Sequence, residues 1–222
     1  MRIIITAISI IYLSFSPATL ANTGKEKQIA LAFGEGPVPG VTESLLQQLD
    51  ALQIKATFFP VGMQMEQFPE QTRAIINAGH QLGNHGYSHI NLAELPLSSA
   101  KEEIKKTCKL LQSHGYQERP MIMPPFGNIS VELSDLLEEQ EFQLAKWDLE
   151  PRLHVDMSEP ESIAGYVAEN ATDGSVVMLH PMYEHSEQII EALPLISTQL
   201  HQQGFRFVTL AQIAESEKIE NL

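Results

Sequence analysis

Cysteine is almost missing from this chain of 222 residues: Cys108 stands alone, so an intramolecular disulfide is excluded. It lies among Ile104, Leu110 and Leu111 in a helical pattern and reads as a small buried apolar residue. Basic residues are scarce as well, with 14 Lys and Arg against 28 Asp and Glu and a formal net charge of −14. Such a surface disfavours nucleic acid and anionic lipid as partners and fits a soluble exported protein. Beyond the extreme N-terminus no apolar run approaches the ~20 residues of a membrane span. Internal repeats, linkers and low-complexity tracts are also lacking, so the length predicts one domain with a substantial core.

What the N-terminus does have is Met1-Arg2, an apolar run from Ile3 to Phe15, and the small-residue stretch Ser16-Pro17-Ala18-Thr19-Leu20-Ala21. This is the layout of a secretory signal peptide over residues 1–21. An uncleaved anchor is the competing reading, but the run is short for a span. Removal leaves residues 22–222 as one domain, free of the membrane, in the periplasm or secreted.

Short apolar runs alternate with amphipathic stretches through the rest of the chain. Strands are predicted over 29–33, 56–60, 81–84, 121–123, 142–147, 175–179 and 205–209. Helices are predicted after a Thr42 cap and over 69–78, 98–114, 131–140, 159–170 and 188–202, with Ser99 and Glu102 as a capping box. Seven strand–helix alternations imply an α/β domain with a parallel sheet, economically arranged as a closed or nearly closed barrel.

Candidate chemistry falls at the C-terminal ends of these strands, the face where such barrels assemble active sites. His85 and His89, in Gly79-His80-Gln81-Leu82-Gly83-Asn84-His85-Gly86-Tyr87-Ser88-His89, are four residues apart, and one helical turn would bring both imidazoles to one point. Neutral imidazole suits zinc and related divalent ions; the alternative is a structural pair bonded to backbone carbonyls. Glu35 after the first strand is a metal ligand, a substitute base or a solvated turn carboxylate. His180 after the sixth strand is a barrel-mouth acid, a substrate contact or a satisfied core histidine. Asp148 reads either as a partner behind a histidine or as a helix cap. Tyr183, Glu184 and His185 read as surface loop, with Glu184 an outside candidate for a displaced base. His80, His114, His154 and His201 have no convergent partners and receive no role.

Read together, Ala56-Thr57-Phe58-Phe59, Gly79 to His85 with Ser88-His89, Pro124-Pro125-Phe126-Gly127, Trp147-Asp148, Val176 to His180 and Gly204 to Leu210 resemble, in order, the motifs of the polysaccharide deacetylase family, the NodB homology domain. The resemblance runs from about Gln28 to Ile213. It implies a distorted (β/α) barrel and a divalent metal, zinc foremost, held by a carboxylate and two histidines. It also implies hydrolysis of N- or O-acetyl groups on a polysaccharide or oligosaccharide. Carried over, Glu35, His85 and His89 are the metal ligands and His180 the general acid. Pro125, Phe126 and Trp147 are the candidate substrate contacts, the indole serving as a pyranose platform or as core.

The first motif departs from the family pattern Thr-Phe-Asp-Asp-Gly-Pro, reading Ala32-Phe33-Gly34-Glu35-Gly36-Pro37. The base aspartate falls on Gly34 and the ligand aspartate on Glu35. Met123 replaces the arginine that orients the base, and Leu153-His154 follow Glu150-Pro151-Arg152 in place of an Asp-Trp pair. The losses are consistent, since an arginine at 123 without a carboxylate at 34 would be a buried, unpartnered cation. Two expectations result: a weakened deacetylase-type hydrolase, or a catalytically silent member that binds a glycan or protein through the same cleft. A third is a metal-dependent hydrolase whose base comes from elsewhere in the chain.

Overall fold

Residues of Lys27–Gly34 (β1) serve two cores by turns. Ile29, Leu31 and Phe33 pack with helix residues such as Leu45, Leu49 and Ile196, whereas Ala30 and Ala32 pack with Phe59, Met123, Met178 and Val208. Successive Cβ atoms leave a strand on opposite faces, so burial of both sets means that the strand is covered on both sides, as in α/β folds. The inner set is small (Ala30, Ala32, then Gly34) and leaves room for methionines from the neighbouring walls. The computed structural model describes residues 26–220; the predicted signal peptide lies outside the described residues.

All strand pairs are parallel. β1 pairs along Ile29–Phe33 with Ser175–Leu179 (β4). Its other edge is shared: Ala32–Gly34 pair with Thr57–Phe59 (β2), and Lys27–Ala30 with Phe205–Val208 (β5). β2 in turn pairs with Gln81–Leu82 (β3). The helices are Val41–Ala51 (α1), Gly62–Gln67 (α2), Pro69–Asn77 (α3), Leu97–Ser113 (α4), Val131–Glu139 (α5), Pro160–Asn170 (α6), Ser186–Gln202 (α7) and Leu210–Glu220 (α8).

Among the described residues the ladder has five strands rather than seven. Segments 121–123 and 142–147 contribute single parallel bridges, Asn84 to Ile122 and Ile122 to Leu144, and Leu149 bridges to Val177 of β4. Pro120, Pro124 and Pro125 flank Met121–Met123, and proline has no N–H to donate, so no ladder can extend there. The bridges carry the parallel contacts from β3 round to β4, giving a distorted barrel whose continuous ladder remains open.

Two expected helix caps are not formed. Gly40, not Thr42, is the N-cap of α1, and the Thr42 hydroxyl accepts from the Val38 N–H at 3.0 Å. α4 starts behind Pro96 without a side-chain cap, and Glu102 accepts from Lys105 at 3.0 Å instead of forming a box with Ser99. Short α2 and C-terminal α8 add to the helices expected from the sequence. Cys108 is half-buried, with its Sγ 3.2 Å from Asn84 Nδ2, and burial pushes its thiol pKa up. Among the described residues no helix is long and apolar enough to cross a membrane.

Candidate metal centre

Three side chains converge where β1 and β3 end. Glu35 follows β1 in the left-handed region (φ 70°), with its N–H donating to Phe59 O at 3.0 Å. His85 follows the Asn84 bridge, and its approach depends on Gly83, where a Cβ would stand 2.2 Å from the Phe59 ring. His89 arrives by a loop and not by a helical turn: its φ is 57°, and Gly86 donates its N–H to Asn84 Oδ1 at 2.9 Å. Glu103 on α4 fixes that loop by accepting from the Tyr87 and Ser88 N–H groups at 2.9 and 2.8 Å. Left-handed conformations cost a non-glycine residue ~1–3 kcal/mol and persist where the surroundings enforce them. Here two of the three convergent side chains adopt one.

One ligand-type atom from each of Glu35, His85 and His89 lies within 4.8 Å of the others. His85 Nδ1 donates to Met123 O at 2.7 Å, which fixes the tautomer and leaves Nε2 as the free donor atom. That Nε2 is 3.2 Å from His89 Nε2, which is 3.6 Å from Glu35 Oε1. Glu35 Oε2 is buried without a hydrogen-bond partner among the described residues. Burial raises the Glu35 pKa to about 7, opposed by Arg152 and reinforced by Glu150. Burial also lowers His85 to about 3 and pulls His89 down. The close Glu35–His89 approach is therefore not a strong ion pair: both groups are pushed toward neutrality. A buried orphan oxygen, two imidazole nitrogens in near contact and a carboxylate pushed toward protonation form a donor set that could hold a cation. The oxygen and nitrogen donors suit a zinc-like divalent ion.

A second group stands beside this one. His180 follows β4; its Nδ1 is 3.9 Å from Glu150 Oε1, and burial followed by the Arg152 charge lowers its pKa to about 4. Glu150, itself buried, accepts from Trp147 Nε1 at 2.8 Å through Oε2 and from Arg152 Nε through Oε1. From the sequence neither Glu150 nor Arg152 receives a role.

Glu35, His89, Phe126, Arg152, His180 and Tyr183 line a cleft of about 600 Å³. Phe126 is 66% exposed at its rim, with its ring 5.1 Å from that of His89. Pro125 is buried and backs Gly86 instead of facing the cleft. Trp147 lines a neighbouring groove with Met121 and Asp148 while its indole N–H holds Glu150. Asp148 neither supports a histidine nor caps a helix: it accepts from the Val176 N–H at 2.6 Å and the Ser175 hydroxyl at 2.7 Å, clamping the start of β4. Tyr183, Glu184 and His185, read as surface loop, are exposed but border the cleft.

The polysaccharide deacetylase profile matches residues 21–145, more than half of the chain. The chain belongs to the polysaccharide deacetylase family. A peptidoglycan-N-acetylglucosamine deacetylase of Bacillus cereus is 34% identical over 192 residues, covering 86% of this chain and 70% of that protein. The peptidoglycan-N-acetylmuramic acid deacetylase PdaC of Bacillus subtilis is 30% identical over 87% of this chain, although the match spans 40% of PdaC. Its solved structure superposes with a TM-score of 0.77 at 30% identity, covering 88% of this chain and 94% of that one. The Bc1960 peptidoglycan N-acetylglucosamine deacetylase gives a TM-score of 0.79 at 32% identity, with coverage of 84% and 87%.

Gly34 and Met123, where the resemblance would put an aspartate and an arginine, are neighbours. A Cβ built on Gly34 would stand 3.1 Å from His180 Cδ2, 3.2 Å from His180 Nε2 and 3.6 Å from the Met123 methyl. The space beside Gly34 is thus bordered by an imidazole edge and a thioether.

Proposed function

We propose that this chain is an exported, metal-dependent carbohydrate deacetylase. Its substrate class is an acetylated amino-sugar polymer of the peptidoglycan or chitooligosaccharide kind. The observation that carries the reading is the convergence of Glu35, His85 and His89 with the buried, unpartnered Glu35 Oε2. The names of the relatives, peptidoglycan and chitooligosaccharide deacetylases, support the substrate class and favour an N-acetyl over an O-acetyl target. Zinc is the ion proposed, and the N-terminal 1–21 segment is the export signal.

Glu35, His85 and His89 would hold the zinc ion, which supplies Lewis-acid polarisation and an acidified water when bound. The protein's own part is to position and to move protons. Phe126 offers an exposed ring at the rim for a sugar face. His180 Nε2 faces the cleft beside Gly34 and delivers a proton to the departing amine, while Trp147 and Arg152 keep the Glu150 carboxylate set behind its Nδ1. The cleft's half-enclosed wall of Met157, Met178 and Ile189 keeps bulk water from part of the site.

Gly34 and Met123 favour one second reading, a silent glycan binder, because the pair that performs base chemistry in the family is absent. Acetate release from N-acetylated chitooligosaccharide and from peptidoglycan, with zinc-loaded and chelator-stripped protein, separates the two. Zinc-dependent release establishes the enzyme. Saturable glycan binding with no acetate from the zinc-loaded protein establishes the binder.

A further inference from the structure

His180 is placed to do more than protonate a leaving group. The strand end at Gly34 has no side chain, and the imidazole edge leans into the opening, with Nε2 3.2 Å and Cδ2 3.1 Å from the point a Cβ would occupy. His180 therefore fills the space in which an aspartate at position 34 would stand. The opposite wall of that space is the methyl of Met123, which is neither acid nor base. Glu35 is committed to the cation, and Glu184 stands on the exposed rim.

The other ring nitrogen has a partner suited to an orienting role. Nδ1 is 3.9 Å from Oε1 of buried Glu150, a carboxylate fixed in place by the Trp147 indole and the Arg152 guanidinium. Catalytic contacts of this kind are often long before substrate binds and shorten in the complex. The 3.9 Å separation is longer than a hydrogen bond, but the charge of a carboxylate on the Nδ1 side favours the tautomer with hydrogen on Nδ1 and the lone pair on Nε2, the arrangement that makes an imidazole a base in hydrolytic triads.

We infer that His180 Nε2 is the general base as well as the general acid of this enzyme, taking over the role that the residue at Gly34 has lost. The inference rests on the deacetylase reading above. In the first step water forms a bond to the acetyl carbonyl carbon while Nε2 accepts one of its protons, giving a tetrahedral adduct and an imidazolium. In the second step the C–N bond breaks, its electron pair goes to nitrogen, and Nε2 returns the proton to that amine. The second water proton stays on the adduct's hydroxyl, so acetic acid and a free amino sugar leave, the acid passing its proton to the amine or to solvent, and the imidazole is neutral again. Atoms and charge balance with water as the sole co-reactant. Glu150 positions the ring and touches no reacting atom.

The test compares the zinc-loaded wild type with His180→Ala and His180→Gln on two substrates, N-acetylated chitooligosaccharide and 4-nitrophenyl acetate. The nitrophenolate leaves without a proton, so a residue acting only as acid is dispensable for the ester, whereas a base is needed for both. The expected result is a loss of ~10²–10⁴-fold on both substrates in both variants, with zinc content unchanged. A second readout is independent of turnover: imidazole ¹⁵N shifts of the metal-free wild type should show Nδ1 protonated and Nε2 bare at neutral pH. Ester cleavage retained within a few-fold by the folded, zinc-bearing variants overturns the base role and leaves the deacetylase reading intact. So does a spectrum with hydrogen on Nε2. A wild type that binds zinc yet releases acetate from neither substrate overturns both.

Discussion

Restoring a family-like carboxylate at position 34 gives a prediction whose size can be worked from the packing around Gly34. Gly34 is buried, and its φ lies outside the left-handed region, so the backbone tolerates an aspartate. The side chain is the difficulty. Its Cβ would press His180 at 3.1 and 3.2 Å, an overpacking cost of ~1–3 kcal/mol. In the metal-free protein its carboxylate would enter beside the buried Glu35 without a hydrogen-bonded counter-ion, which costs ~3–5 kcal/mol or is relieved by taking up a proton. Met123→Arg alone is as unfavourable, placing an unpartnered guanidinium at a side chain only 1% exposed. Together the two substitutions supply each other's counter-ion across the 3.6 Å that separates the Gly34 Cβ position from the Met123 methyl. Urea unfolding of the wild type, Gly34→Asp, Met123→Arg and the double variant should therefore close a strongly non-additive cycle. The double variant should be more stable than the sum of the singles by ~2–3 kcal/mol. Additivity within ~0.5 kcal/mol would refute the idea that these two positions share one vacated ion-pair site.

Other consequences are open to measurement. Phe33 is fully buried between sheet and helices, so Phe33→Ala should cost ~3–5 kcal/mol, read as a fall in urea midpoint at unchanged slope; a loss below ~1 kcal/mol would contradict its place in the main core. His80 is 5% exposed, accepts the Ala56 N–H on Nδ1, and burial lowers its pKa from 6.5 to about 4. Between those values the unfolded chain binds the extra proton, so stability rises with pH and is lost as pH falls from 6.5 toward 4. The His80 share is about 2 kcal/mol between pH 7 and pH 5. His80→Asn, which keeps an acceptor but cannot charge, should lose that share of the acid slope; an unchanged slope would show that His80 does not carry it.

The sequence made β1, β2, β4, β5 and most helices legible because their apolar periodicity is strong and each buries a defined face. The same periodicity over 121–123 and 142–147 reports burial, not ladder formation, and the prolines around Met121–Met123 decide against strands. The convergence of Glu35, His85 and His89 could be anticipated from motif order, but the route to it could not. His89 reaches the site through a left-handed residue and a loop held by Glu103, whose hydrogen bonds to residues 87 and 88 span 16 and 15 positions. Glu150 and Arg152 carried a visible signal, charged residues at a strand end. Their partners, Trp147 and His180, were set by tertiary packing. Asp148 was misassigned for the same reason: its hydrogen-bond partners at 175 and 176 lie 27 and 28 residues away.

In the proposed site one carboxylate and two imidazoles grip a cation at the mouth of the barrel. Calorimetric titration of chelator-stripped protein with zinc tests it most directly. The expected result is one saturable site, release of protons on binding as Glu35 ionises, and loss of the site in His85→Ala with the fold intact by circular dichroism. Absence of saturable binding in the wild type, or equal binding by His85→Ala, would contradict it.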